Sequence, residues 1–430
     1  MKTGCALSYS RMDQLPNILW IVTTQWRSQS TGFAGDANAR TPCLDRLAEQ
    51  SMLYSQAVTP HPFGPFARAA LLTGQLSPEN GVANYFDALP VGTRTIAHDL
   101  AERGYQTAFF GKWHLGERDR RVPLVGEAHA RTIIPPEQRG GFKFWEGFES
   151  GFLLNDPWLH GSRLPVPRQF PGYQSDVLCD RAAEYLALRP APSKERTKKS
   201  RTSGASEPWF AVISLEAPHP PYDAPSAGVL PRDPGEIQLR PNVSQDGVIE
   251  ETARRELAGY YAHIAATDSA IGRLLDRVAV ENTVVVFTSV HGDMHGSHGL
   301  FRKGWPYEES VRVPLLVRRS TTQRNLMGEC RTPISLADLR ASTLAWAAGL
   351  PAEQMSDSSL ISMPSVVALP RQCDRVWRGI RTSSRKLILN EDGSPWLFFD
   401  LEEDPYEQEN LIDDPTRVTE IAVLRSKIQL

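Results

Sequence analysis

Short, unbroken apolar runs of strand length recur along the chain. Asn17-Ile-Leu-Trp-Ile-Val22, Tyr105-Gln-Thr-Ala-Phe-Phe110, Pro208-Trp-Phe-Ala-Val-Ile-Ser-Leu215 and Thr283-Val-Val-Val-Phe287 predict strands, the first with the look of a buried parallel strand. Between them the apolar spacing changes to that of helices. Thr95–Arg103 reads as a helix, as does Ser175–Leu188, with Leu178, Ala182, Tyr185 and Leu186 on one side. Glu251–Val278 reads as one long helix with Leu257, Tyr261, Ile264, Ala265, Asp268, Ile271 and Leu275 on or near one face, Asp268 being the polar member placed to orient a neighbour. Thr41-Pro-Cys-Leu-Asp-Arg-Leu-Ala48 has the form of a helix start, Thr41 as N-cap and Pro42 in the first turn. Further on, Glu308–Val317 predicts a turn and strand and Ser335–Ala345 a helix. Trp377–Leu389 and Trp396–Leu411 predict a short antiparallel sheet followed by a final helix.

Two stretches break this pattern. Arg118–Pro171 is rich in Gly, Pro and aromatics and is expected to form an irregular rim at the strand ends. Arg189–Ser206 carries an excess of Lys and Arg without apolar periodicity and is expected to be a solvated loop.

Composition narrows the class. The 430 residues are 41% hydrophobic, enough for a large core, and the formal net charge is -3. That balance gives no field for nucleic acid or a membrane surface. The five cysteines, Cys5, Cys43, Cys179, Cys330 and Cys373, are scattered without a CxxC pair, which predicts reduced thiols in the cytoplasm. The residues from Met1 to Arg11 hold no apolar run of signal-peptide length and no stretch is apolar over a membrane-spanning length, so a soluble, unexported protein is expected.

The chemistry lies at the ends of the predicted strands. Gly64-Pro-Phe-Ala-Arg68-Ala-Ala-Leu-Leu-Thr-Gly74, Gly111-Lys112-Trp113-His114-Leu115-Gly116, Ala217-Pro-His219-Pro and Ser289-Val290-His291-Gly-Asp293, running on to Lys303, follow one another in order. They resemble the motifs of sulfatases in the alkaline phosphatase superfamily, over roughly Pro16 to Pro415. The resemblance implies an alkaline-phosphatase-like α/β sandwich: a large, mostly parallel sheet flanked by helices, with a small C-terminal antiparallel subdomain. Residues 15–350 are expected to form the main domain, interrupted by the basic insert 189–207, and 351–430 the subdomain. In that family a Cys or Ser oxidised to formylglycine precedes the arginine; here Gly64 stands there and Phe66 replaces the motif's proline. Gly64 has no side chain to oxidise, so the covalent route is closed. The first-strand metal aspartate corresponds to Thr24, with Gln25 beside it, and the later one to Val290, followed by His291. Both replacements remove the charge on which hard cations depend.

The positions that hold sulfate oxygens in the family correspond to Arg68, Lys112, His114, His219 and Lys303, all retained. This pattern implies a cationic pocket less balanced by carboxylates than the family's, without metal or cofactor, for a small anionic ligand. The catalytic candidates are His114, His219 and His291, with Arg68, Lys112, Lys303, Gln25 and Thr24 as binding residues. The expected function is a repurposed, metal-independent enzyme acting on a sulfated, phosphorylated or carboxylated substrate by histidine acid/base chemistry. Two alternatives remain open: an inactive relative that binds a ligand or partner, and a residual ester hydrolase with a metal on His291, His295 and His298.

Overall fold

A computed structural model describes residues 15–189, 207–245, 247–320, 327–350 and 356–428. The predicted basic loop lies outside these residues except at its two ends. In chain order the strands are β1 (Asn17–Thr23), β2 (Met52–Tyr54), β3 (Ala57–Val58), β4 (Gln106–Lys112), β5 (Phe144–Phe148), β6 (Trp158–Gly161), β7 (Leu164–Gln169) and β8 (Trp209–Ser214). They continue with β9 (Thr283–Ser289), β10 (Leu315–Arg318), β11 (Gly328–Cys330), β12 (Ile334–Ser335), β13 (Ser358–Met363), β14 (Trp377–Thr382), β15 (Arg385–Asn390) and β16 (Pro395–Asp400).

Ten strands form one sheet in the order β11-β2-β10-β9-β1-β8-β4-β5-β6-β7. Its centre, β9 through β5, is parallel. On either side, β10 and β6 run antiparallel to their neighbours. Strands β1, β8 and β9 are buried along their whole length, which is why each reads as a continuous apolar run rather than an alternating one. Separate hydrophobic clusters cover the two faces. Ile18, Trp20 and Val22 point to one, with helices Gly64–Thr73 and Ile96–Glu102; Leu19 and Ile21 point to the other, with helices Gln174–Ala187 and Gly247–Arg277. The period-2 alternation of side chains on a strand produces this division.

The Arg118–Pro171 stretch is more regular than expected. Strands β5, β6 and β7 come from it and extend the sheet; β5 and β6 are mostly buried and β7 is largely exposed, but all three are short and set among turns, which hid them in the sequence. The helix expected from Ser335 begins four residues later: Ser335 ends β12 and caps a 3-10 turn, and the α-helix runs Leu339–Ala347. The C-terminal sheet has four antiparallel strands, β13-β14-β15-β16, with helix Val418–Ile428 packed through Ile421 and Leu424 against Ile380, Leu387, Leu389 and Phe398. It is anchored to the rest by buried polar contacts. Trp377 Nε1 donates to Gly304 O at 2.8 Å, while Arg381 and Lys386 pair with Glu308 at 3.0 and 2.8 Å.

Helix Pro42–Ala48 is capped from outside. Thr41 makes no capping bond; its hydroxyl accepts from Gly32 N and donates to Asp45. The free helix N–H groups of Cys43 and Leu44 instead donate to Asp268, at 3.0 and 2.8 Å. The long helix thus holds the short one through one buried carboxylate placed at its positive end. Cys43 is half-buried near that helix start, and Cys43, Cys179, Cys330 and Cys373 are free thiols. Among the described residues no helix is long and apolar enough to cross a membrane. Asp268→Ala would leave two helix N–H groups without partners, so unfolding in denaturant should show a loss of about 2 kcal/mol.

Candidate anion-binding site

The parallel order of β9, β1, β8 and β4 brings their carboxyl ends to one edge of the sheet, where α/β folds place their sites. Thr24 and Gln25 follow β1, Glu216 and His219 follow β8, Lys112 ends β4 with His114 just beyond, and His291 follows β9. Helix Gly64–Thr73 begins at the same edge, so its positive end faces it. Thr24, Gly64, Lys112, His114, His219, His291 and Lys303 line one small cavity with Phe63, Tyr85, Phe152 and Leu369. Arg68 and Gln25 are not in its wall. Arg68 lies beneath it, donating to Thr24 Oγ1 at 2.8 Å, Ser214 Oγ at 2.6 Å and Lys112 O at 3.3 Å.

The cavity holds about 20 Å³, room for one water. Phe152, His219, Lys303 and Leu369 also border an open cleft of about 860 Å³. Phe152 is one of these four shared residues. Its ring stacks on His219 at 4.5 Å and lies under Lys112 Nζ at 4.6 Å, so both groups are covered by an aromatic face.

The cations are better balanced than the sequence implies. Lys112 Nζ pairs with Glu216 Oε1 at 2.5 Å, both side chains essentially buried. Glu149 accepts from Gly116 N and stands 3.7 Å from Arg118. Neither glutamate stood out in the sequence, because each pairing joins distant segments; a carboxylate closing an apolar strand, as Glu216 does, was the available signal. Lys303 instead donates to two neutral groups, Gln25 Oε1 at 2.6 Å and His219 Nε2 at 3.1 Å. Asp293 accepts from Gln25 Nε2 and, at 2.5 Å, from Tyr222 OH. These bonds turn the Gln25 amide so that its oxygen must face Lys303. Burial, with the nearby Lys112 and Arg302 cations, outweighs Asp293 and lowers Lys303 to about 7.

The three pocket histidines are neutral at pH 7. Burial is the first cause in each, and the neighbouring cations add to it, Lys112 for His114 and Lys303 for His219 and His291. His219 Nδ1 faces Pro220 O at 2.8 Å and His291 Nδ1 faces Gly292 O at 2.9 Å. Each Nδ1 therefore carries the proton and each Nε2 a lone pair. His291 Nε2 and both nitrogens of His114 have no partner. Left-handed backbone at Gln25, His114 and Phe152, with φ of 67, 57 and 56°, concentrates strain around the pocket.

The donor set does not fit the divalent cation of the sulfatase motifs. Thr24 Oγ1 donates to Leu215 O and receives Arg68, Gln25 Oε1 receives an ammonium, and Val290 has no donor atom. Asp293 is a carboxylate, but both its oxygens are engaged, Oδ1 by His295 N. His291 Nε2 is the free donor, too little for a hard cation. Nor do His291, His295 and His298 gather. His295 packs against Tyr260 and Tyr222, whereas His298 stacks on Tyr307 and falls near Glu309 and Glu407, the His/Cys/Asp/Glu group close enough to share an ion among the described residues.

The family model described as "Sulfatase" matches residues 16–350. The chain belongs to the sulfatase family. It is 33% identical over 426 residues to an ulvan-active sulfatase of Formosa agariphila, covering 93% of this chain and 78% of that protein. A choline-sulfatase of Rhizobium meliloti is 28% identical, covering 95% and 85%. Among solved structures, the yidJ chain of Bacteroides fragilis superposes with a TM-score of 0.81 at 22% identity, covering 99% and 97%. The phosphonate monoester hydrolase of Agrobacterium radiobacter does so at 0.71 and 18%, covering 96% and 95%. These superpositions match the α/β sheet with its separate antiparallel sheet. An oxyanion seated beside Lys303 would be held by its ammonium form and not by the amine. Sulfate affinity, read by calorimetry across pH, should therefore be retained below about 7 and fall above it by at most ~10-fold per unit.

Proposed function

We propose that this sulfatase-family chain is a metal-independent enzyme that seats the anionic group of a small substrate, a sulfate ester foremost, and acts on it with neutral histidines. The observation that carries this reading is the meeting of Lys112, Lys303 and three uncharged imidazoles in one cavity whose former metal positions offer no carboxylate. Sulfate is favoured over phosphate or carboxylate by the names of the relatives, which include an ulvan-active sulfatase and a choline-sulfatase. Lys112 and Lys303 would bind the oxyanion directly, with Arg68 beneath them and the N-terminus of helix Gly64–Thr73 adding to the field. His114, His219 and His291 present or share lone pairs and would accept or relay protons. Lys303, poised near neutrality, would return a proton to a departing oxygen.

A second reading rests on the closed cavity. With room for one water, an oxyanion enters only when Phe152 or Leu369 moves aside, which suits a catalytically silent binding protein as well. Native mass spectrometry of the purified chain, with and without chelator, joined to a turnover screen of sulfate esters, separates the readings. The expected result is no stoichiometric divalent metal, stabilisation by sulfate that chelator leaves unchanged, and turnover of at least one ester. Binding without turnover across the screen would favour the silent protein, and a stoichiometric metal required for turnover would overturn the metal-independent reading.

A further inference from the structure

Gly64 and His114 occupy each other's space. A Cβ built on Gly64 would lie 2.9 Å from His114 Nδ1 and 3.2 Å from its Cε1. Gly64 is not in the left-handed region, so no backbone demand explains the glycine there. The imidazole fills the seat that a side chain at position 64 would take. It is held there from several directions. His114 is in left-handed backbone with φ of 57°, its N–H donating to Glu149 O at 2.9 Å, and Tyr85 meets the ring edge-on at 5.7 Å. Both ring nitrogens are nevertheless unpartnered and buried. An unpaired buried polar group is costly, and one aimed into a cationic pocket is expected to have a reacting partner.

We infer that His114 has taken over the nucleophile's position and transfers a sulfuryl group through a covalent N-sulfo-imidazole. This rests on the proposed seating of a sulfate ester. In the first step the Nδ1 lone pair forms an N–S bond as the S–O bond to the organic group breaks. The departing oxygen takes a proton from the Lys303 ammonium, which faces the same cavity. The sulfonated ring carries the positive charge, which keeps sulfur electrophilic. In the second step the oxygen of water or an alcohol attacks sulfur, the N–S electron pair returns to Nδ1, and the acceptor's proton passes to the Lys303 amine. Every charge and proton is restored at the end of the cycle, and the covalent intermediate divides one displacement into two.

The test uses the full chain with 4-nitrophenyl sulfate, quenched in alkali, where an N–S bond survives. Nitrophenolate release and intact-protein mass are read together, and sulfate binding is read in parallel by thermal stabilisation. The expected result is a burst stoichiometric with protein and one sulfuryl group mapped to the His114 peptide. His114→Gln should abolish the adduct while sulfate still stabilises the protein. Gly64→Ala, whose methyl group displaces the ring without removing it, should slow the burst about 100-fold and leave sulfate binding in place. Turnover without an adduct, or a His114→Gln variant at the parent rate, would overturn the nucleophile. Sulfate binding with neither release nor adduct would also overturn it while leaving the seating of the anion intact. Absence of sulfate binding would remove the reading on which it rests.

Discussion

A buried ion pair, Lys112 with Glu216, is the interaction on which the pocket depends. Lys112 ends β4 and Glu216 lies just past β8, so the pair ties two neighbouring parallel strands together where the main-chain ladder stops. Removing either partner would strand a charge in the interior, at a cost of about 3–5 kcal/mol. The Lys112 carbonyl also receives Ser214 and Arg68. One residue thus fixes an ammonium in the cavity wall and a guanidinium below it. The pocket is a set of positive groups held in place by neutral oxygens and by this close carboxylate.

The positions that the sulfatase motifs would give to metal ligands carry contacts of another kind here. The Gln25 amide, turned by Asp293 and Tyr222, presents its oxygen to Lys303, and Lys303 in turn reaches His219. The hydroxyl of Thr24 is occupied by Arg68. Side chains of this chain therefore occupy Thr24 and Gln25, while His291 Nε2 stays without a partner. Val290 belongs to the hydrophobic cluster on that face of the sheet.

Much of the fold was legible because its parallel strands are buried on both faces and leave unbroken apolar runs. Strands β5 to β7 were not, since short strands among prolines and glycines look like loop, and the edge strand β7 is largely exposed besides. At the site, Lys112, His114, His219, His291 and Lys303 could be named from local motifs, and the structure brings them to one cavity. Arg68 was named as well, yet it sits below the cavity rather than in it. Glu216, Asp293 and Tyr222 went unassigned because their partners lie from 71 to 268 residues away along the chain. Thr41 was the expected helix cap for the same reason that Asp268 was not: a cap supplied from another helix leaves no trace in local sequence.

Phe152 sets the time dimension of this arrangement. If entry runs past Phe152 rather than Leu369, a ring in contact with an imidazole and an ammonium would have to be displaced before an anion reached Lys112. Long-range attraction would speed arrival at the cleft, but entry would be governed by the ring's excursions rather than by diffusion. Once the ring closes again, escape meets the same barrier. A pocket of modest equilibrium affinity built this way would exchange its contents slowly and retain what it has captured through dilution.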